Sequence, residues 1–279
     1  MGVISLIYIP MSAALLITLR ETLEVALIVG IILAYLQKTG NLGHRKFVWR
    51  GVFSGVVLSV VLAVVFNFLF GGFEGRAEEI YEGVVMLIAA GLLTWMILWM
   101  LKQRANLRED LEKKVEGHLR GDHPWGIFVL VLVATAREGI ETVIFLQATL
   151  VNSGFDATML GAVLGMVIAV VASFVLFKGI AKVPLRQFFT VSSVLLILFA
   201  AGLVAHGLHE FIEAGVVNFW TVEVWNLNGV LDEKGVLGSL LKALFGYNVN
   251  PALLEVVAYV GYLAFVGGVW RRLDKEIKS

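Results

Sequence analysis

The chain has 279 residues, 59% of them hydrophobic and 16% charged, with a mean hydropathy of +0.87; a soluble domain is nearer about 45–50% apolar and about 25% charged. That balance excludes a disordered chain, a nucleic-acid-binding tail protein and an ordinary cytosolic enzyme, and the complete lack of cysteine excludes disulfides, thiolate metal sites and cysteine nucleophiles. Lysine plus arginine number 22 and aspartate plus glutamate also 22, so the total charge selects no partner, and its distribution has to be read instead.

A membrane-spanning helix needs about 20 mostly apolar residues. Seven stretches qualify in chain order: 7–36, 47–70, 80–101, 125–151, 158–180, 188–211 and 252–270. The first lacks a basic leader and runs on past Arg20–Glu21 to Leu36, so it is expected to be a span and not a signal peptide. The runs are continuous and too long for barrel strands. Between spans, basic residues alternate. Lys38, Arg45, Lys46 and Arg50 fill the first loop, and Lys102, Arg104, Arg108, Lys113, Lys114 and Arg120 the third. Lys178, Lys182 and Arg186 lie in the fifth, and Arg271, Arg272, Lys275 and Lys278 in the tail. The second loop holds Glu74, Glu78 and Glu79 against Arg76, the fourth has no basic residue, and the long sixth has only Lys234 and Lys242. The positive-inside bias predicts an outside N-terminus and an inside C-terminus. Leu107, Leu111, Val115 and Leu119 recur every four residues in the third loop and predict a cytoplasmic amphipathic helix. In the sixth loop, 236–245 is expected to be amphipathic, and Trp220 and Trp225 suit an interface.

The chain repeats itself. Thr18-Leu19-Arg20-Glu21-Thr22-Leu23-Glu24 in the first span returns, 117 residues on, as Thr135-Ala136-Arg137-Glu138-Gly139-Ile140-Glu141 in the fourth. Gly51 and Gly55 match Gly161 and Gly165 at an offset of 110, and Ala89-Ala90-Gly91-Leu92 matches Ala200-Ala201-Gly202-Leu203 at 111. Units of three crossings each must point opposite ways. The expected fold is therefore an all-α integral membrane protein of seven transmembrane helices, built as an inverted 3+3 repeat plus a seventh helix, an arrangement that places a transporter's site near the midplane. As one membrane domain it divides into repeat one (7–101), the amphipathic loop (102–124), repeat two (125–213), the external loop (214–251) and helix seven (252–270).

Glu21 and Glu138 fall near the middle of their spans, where an ionised side chain costs roughly 2.5–3.5 kcal/mol even on the lenient insertion scale. Glu21 and Glu24, like Glu138 and Glu141, are spaced i,i+3 and share a face with Thr18 and Thr135 one turn away. Arg20 and Arg137 stand i,i+4 from Glu24 and Glu141. Four acids against two arginines leave a net charge of −2, which a hard cation on oxygen ligands would balance. A purely structural salt-bridge lock is the weaker reading, since buried ion pairs are poor stabilisers. A second cluster is expected at the outer ends of the third and sixth spans, where Glu78, Glu79 and Glu82 meet His206, His209, Glu210 and Glu213. His206–Glu210 and His209–Glu213 have metal-ligand spacing, and an acidic vestibule would raise the local cation concentration.

At these residues the chain resembles the oxidase-coupled iron permease family, which includes bacterial iron and lead transporters of the EfeU type. The family carries an Arg-Glu-x-x-Glu motif, commonly written REGLE, in helices one and four. Here the copies read Arg20-Glu21-Thr22-Leu23-Glu24 and Arg137-Glu138-Gly139-Ile140-Glu141, with Thr22 departing at the glycine and Ile140 at the leucine. A late Gly246-Tyr247…Pro251…Glu255…Tyr259 pattern extends the likeness over nearly the whole chain. The resemblance implies a permease and not an enzyme, with iron as transported substrate, ferric iron favoured, and no organic cofactor. It implies Glu21, Glu24, Glu138 and Glu141 in iron passage, an external iron-oxidising or iron-delivering partner, and residence in the cytoplasmic membrane without nucleic acid. A divalent-metal or lead permease shares every feature, and a membrane-embedded metalloenzyme is the reading from another class.

Overall fold

The computed structural model describes residues 11–70, 74–103, 107–120, 124–177, 185–227, 238, 241–242 and 245–278. Among them are eight long α-helices and no strand, only an isolated bridge between Glu223 and Ala252. In chain order they are α1 (Met11–Lys38), α2 (Arg45–Phe70), α3 (Arg76–Gln103), α4 (Leu107–Arg120), α5 (Pro124–Ser153), α6 (Phe155–Phe177), α7 (Leu185–Glu213) and α8 (Leu253–Lys278). A short 3-10 turn, Leu42–His44, leads into α2. The segment 236–245 expected to be amphipathic lies mostly outside the described residues.

Helix ends follow local chemistry. Gly40 and Gly215 hold φ of 74° and 66° just beyond α1 and α7. The Asn41 amide then reaches the Leu36 carbonyl at 2.9 Å and the Val216 amide reaches that of Phe211 at 2.9 Å. Both satisfy carbonyls that a helix end would leave unpaired, and a left-handed residue is what this closure needs. At the start of α8 the exposed amides are met from the loop before it: Leu253 donates to the Val222 carbonyl at 2.9 Å and Leu254 to that of Trp220 at 3.1 Å. Trp220 takes a φ of 56° in the loop segment that supplies these carbonyls, a left-handed conformation uncommon for a bulky residue.

Among the described residues, five helices are long and apolar enough to cross a membrane by length and composition: Leu42–Phe68, Arg76–Met100, Phe155–Phe177, Phe189–Glu213 and Leu253–Leu273. Their surfaces are inverted relative to a soluble protein. On α2, Phe53, Val60, Val64 and Phe68 are exposed, as are Val163, Val167, Val170 and Phe174 on α6, while Arg20, Glu21, Glu24, Glu138 and Glu141 are buried. Such broad apolar surface is stable only against lipid.

The packing interlocks the chain. α1 lies chiefly against α6, α2 against α5, and α3 against α7, with α1 and α5 crossing each other and α8 resting on α7. The glycines of the repeat sit at these crossings. A Cβ on Gly55 of α2 would lie 2.6 Å from Cβ of Thr135 on α5, and one on Gly165 of α6 would run into the Thr18 hydroxyl and the Leu15 carbonyl of α1. Each glycine thus lets its helix close on the threonine that precedes a charged motif. The largest apolar cluster joins Ile17 of α1, Met86, Leu93 and Met96 of α3, Phe145 of α5 and Leu196 and Leu203 of α7. A second ties α4 down: Val115, fully buried, packs with Val29, Ile32 and Leu36 of α1, Val48 of α2, and Ile127 and Val131 of α5. The amphipathic helix expected of the third loop is therefore docked, with Leu111 and Val115 inward and Lys113 and Lys114 outward.

Gly55→Ala and Gly165→Ala are each expected to cost about 1–3 kcal/mol through overpacking, whereas Gly91→Ala, whose Cβ would meet nothing within 4 Å, should gain up to about 1 kcal/mol of helix propensity. Thermal unfolding of the three variants in detergent checks this. A drop in Tm for Gly91→Ala as large as for the other two would refute the crossing-point argument.

Candidate metal centre

The centre is built where α1 crosses α5. The motifs place Glu21 and Glu24 on one helix and Glu138 and Glu141 on the other, and the glycine contacts set the distance between them. Oxygens of Glu21, Glu138 and Glu141 lie within 4.8 Å of one another, and all three residues are buried. They are the only group of that kind among the described residues. Glu21 Oε2, Glu138 Oε2 and Glu141 Oε2 are buried without a hydrogen-bond partner. Buried polar atoms are normally paired. Three carboxylates so close repel, and a cation between them would relieve the repulsion and satisfy the unpaired oxygens at once. The donor set is all oxygen, suited to a hard or borderline cation.

Two arginines flank the cluster in unlike surroundings. Arg20 is fully buried, with Nη1 3.5 Å from Glu21 Oε1 and Nη2 3.1 Å from Glu24 Oε1. It also donates to two thioether sulfurs of α3, Met96 Sδ at 3.4 Å and Met100 Sδ at 2.9 Å, which are weak acceptors. Arg137 donates from Nε to Glu141 Oε1 at 2.9 Å and stands 3.9 Å from Glu138 Oε1. Its side chain is 31% exposed, and its guanidinium lies 4.5 Å from the ring of Trp99 and 5.6 Å from that of Trp95. Glu24 thus pairs with Arg20 and Glu141 with Arg137, and the acids whose oxygens converge within 4.8 Å are Glu21, Glu138 and Glu141.

The supporting threonines also differ. Thr18 donates to the Ala14 carbonyl of its own helix at 2.9 Å, whereas the Thr135 hydroxyl is buried without a partner, one turn before Glu138. Ser59 of α2 fits against Gly139, where any Cβ would collide with it.

The outer His/Glu residues are distributed differently from their sequence spacing. His209 Nε2 is 3.3 Å from Glu213 Oε1, the expected i,i+4 contact. Its Nδ1, however, turns to Glu255 Oε1 at 2.9 Å. Glu255 also accepts the Ala252 amide at 3.1 Å and the Asn248 amide group at 2.9 Å. His206 is buried with Nδ1 unpartnered and makes no ion pair with Glu210. Glu82 of α3 shares one electrostatic neighbourhood with Glu79, Glu210 and Glu213. The close approach of α3 and α7 at Gly83 and Gly207 brings these acids together. Glu255 was not among the residues expected at the site. Its signal was an acid three residues after Ala252, at the start of the last apolar run, where it reaches back to a free amide as in a capping box. Met96, Met100, Trp95 and Trp99 gave no signal, because their role depends on which face of α3 meets the arginines.

The model of the iron permease FTR1 family matches residues 11–273. Proteins named ferrous iron permease EfeU from Escherichia coli O157:H7 and Shigella sonnei are each 37% identical over 250 residues, covering 89% of this chain and 91% of theirs. One of the same name from Shigella flexneri is 36% identical over 154 residues, 54% of this chain and 66% of its own. No solved structure matches the chain.

The two arginines should differ in weight. Arg20→Ala strands buried carboxylates and is expected to destabilise by about 3–5 kcal/mol, while Arg137→Ala, half-open beside two indoles, should lose about 1–2 kcal/mol. Denaturation of the purified variants in one detergent distinguishes them, and equal losses would show that burial does not set the difference.

Proposed function

The chain belongs to the iron permease FTR1 family, and on that premise we propose that it moves iron across the cytoplasmic membrane through the carboxylates where α1 crosses α5. It is a multi-pass membrane protein and a transporter rather than an enzyme. The observation that carries the mechanism is the convergence of Glu21, Glu138 and Glu141, buried, with unpaired oxygens, inside an otherwise apolar bundle.

In this reading α1 and α5 are spans as well, which brings the count to seven, with the N-terminus outside. The length of α1, 28 residues, and of α5, 30 residues, supports it, since each exceeds the ~30 Å core at ~1.5 Å per residue. The inverted repeat is supported by the pairing of helices. Exchanging α1 with α5, α2 with α6 and α3 with α7 turns the α1–α6 contact into the α5–α2 contact and leaves the α3–α7 contact in place. The Gly55–Thr135 and Gly165–Thr18 crossings exchange in the same way.

Iron is first concentrated by the outer acids Glu79, Glu82, Glu210 and Glu213, with His206, His209 and Glu255 beside them, where the delivering partner implied by the resemblance would present it. It then reaches Glu21, Glu138 and Glu141. Glu24 holds Arg20 aside, and Thr135 offers a hydroxyl to the ion or to a water on it. Rocking of one repeat against the other opens the centre inward. The arginines keep the centre from becoming a trap, since a permeant ion must also leave. The four motif acids and two arginines sum to −2, which a divalent ion neutralises, and the relatives bear the name of ferrous permeases. Charge balance thus favours ferrous over ferric cargo.

Glu21→Gln and Glu138→Gln are each expected to reduce radiolabelled iron uptake into proteoliposomes by at least about tenfold, a loss of about 1.4 kcal/mol or more in the translocation step, with protein in the membrane unchanged. Uptake should be faster with a reductant present than with ferric iron. Normal uptake by either variant sinks the carboxylate pathway, and a preference for ferric iron sinks the assigned valence.

A further inference from the structure

Beside the centre, and sharing Arg137 with it, lies a cavity of about 700 Å³ between α4, Trp99 of α3 and the first half of α5. Trp99, Lys114, His118, Trp125, Val133 and Arg137 are among the residues that line it, and no acidic residue among the described residues does. Three cationic or imidazole groups and no carboxylate make it unfavourable for a metal cation. Its walls are otherwise apolar, and three of the α5 residues that line it, Trp125, Val129 and Val133, are 63%, 49% and 59% exposed, so apolar helix surface continues from the cavity wall.

The mouth is organised by its neighbours. The ring of His118 lies on Gly126, where a Cβ would strike it, so the glycine is what seats the imidazole there. Lys113 is taken up by Glu109 at 2.7 Å, whereas Lys114 has no ion-pair partner among the described residues. The docking of Val115 and Leu111 fixes both Lys114 and His118 over the opening. At the deep end Arg137, backed by Trp99, leaves Nη2 buried without an acceptor.

We propose that this cavity binds an anionic phospholipid from the leaflet on the α4 side, with its phosphate at Lys114 and His118 and an acyl chain entering between Trp125 and Val133. Charge complementarity selects an anion, and the lateral opening onto apolar helix surface selects one with a hydrocarbon tail over a free solute. Basic pockets between spans at a membrane face are suited to such headgroups, and each lysine there adds about 1 kcal/mol of attraction. The aromatic residue at the opening sits where indoles favour the interface. The bound lipid would brace α4 against α5 and so hold the arginine end of the centre. The inference rests on the membrane reading alone and not on the identity of the cargo.

Native mass spectrometry of the purified full-length chain, offered phosphatidylglycerol or phosphatidylcholine at equal concentration, tests it. Wild-type protein is expected to retain phosphatidylglycerol about fivefold better, the ratio that one lysine's attraction corresponds to. The Lys114→Ala/His118→Ala variant should lose that preference. Val133→Trp, which fills the opening and keeps the charges, should lose bound lipid of either kind. Equal retention of the two lipids by the wild type overturns the proposal, as does an unchanged preference in the double variant. Displacement of phosphatidylglycerol by excess inorganic phosphate would make it a site for free anions and overturn the lipid assignment. No iron enters the measurement, so a failed carboxylate pathway and a failed lipid site give different results.

Discussion

Everything in this molecule is arranged around unbalanced charge placed far from water. Four carboxylates and two guanidinium groups are held at one helix crossing, and internal pairing cannot neutralise them. Arg20 and Arg137 each bind an acid one turn on, which leaves the residual negative charge on Glu21 and Glu138, with the paired Glu141 close beside them. A soluble protein would disperse such charge into solvent. Here the apolar surfaces of α2 and α6 face outward and the charge faces inward, and in the proposed function the compensation comes from an ion that can enter and leave. The proposed ion route rests on a deficit that the protein's own side chains do not close.

That deficit requires close and reproducible geometry, and small residues supply it. Gly55 and Gly165 allow the outer helices α2 and α6 to press on Thr135 and Thr18, one turn from each motif. Because α1 packs on α6 and α5 on α2, each motif is supported by a helix from the other half of the chain. Neither half could keep its carboxylates in register alone. In the proposed rocking, movement of one half relative to the other would act on the contacts that set the spacing of the acids and so couple conformation to ion affinity.

The duplicated motif and the burial of its acids were legible in the sequence because they follow from single helices: i,i+3 and i,i+4 spacing, offset and hydropathy. The docked amphipathic helix was legible for the same reason, through Leu111 and Val115. What could not be read depends on neighbours brought in from elsewhere. Arg20 and Arg137 occupy equivalent positions, yet α3 gives the first two sulfurs and the second two indoles. His209 obeyed its local spacing towards Glu213 but gave its other nitrogen to Glu255, 46 residues away. Which of the four acids converge was equally hidden, since it depends on how α1 and α5 cross.

The contact between Gly139 and Ser59 bears on how the two copies diverged. At the matching places of the other copy stand Thr22 and, 110 residues after Ser59, Ala169, which packs among Leu19 and Leu23. A threonine cannot be copied into position 139 while a serine occupies position 59, because there is no room for its Cβ. Position 59 would have to shrink to alanine first. Substitutions at positions 59 and 139 are thus ordered by sterics. The two halves can no longer be made identical again by single changes made in any order.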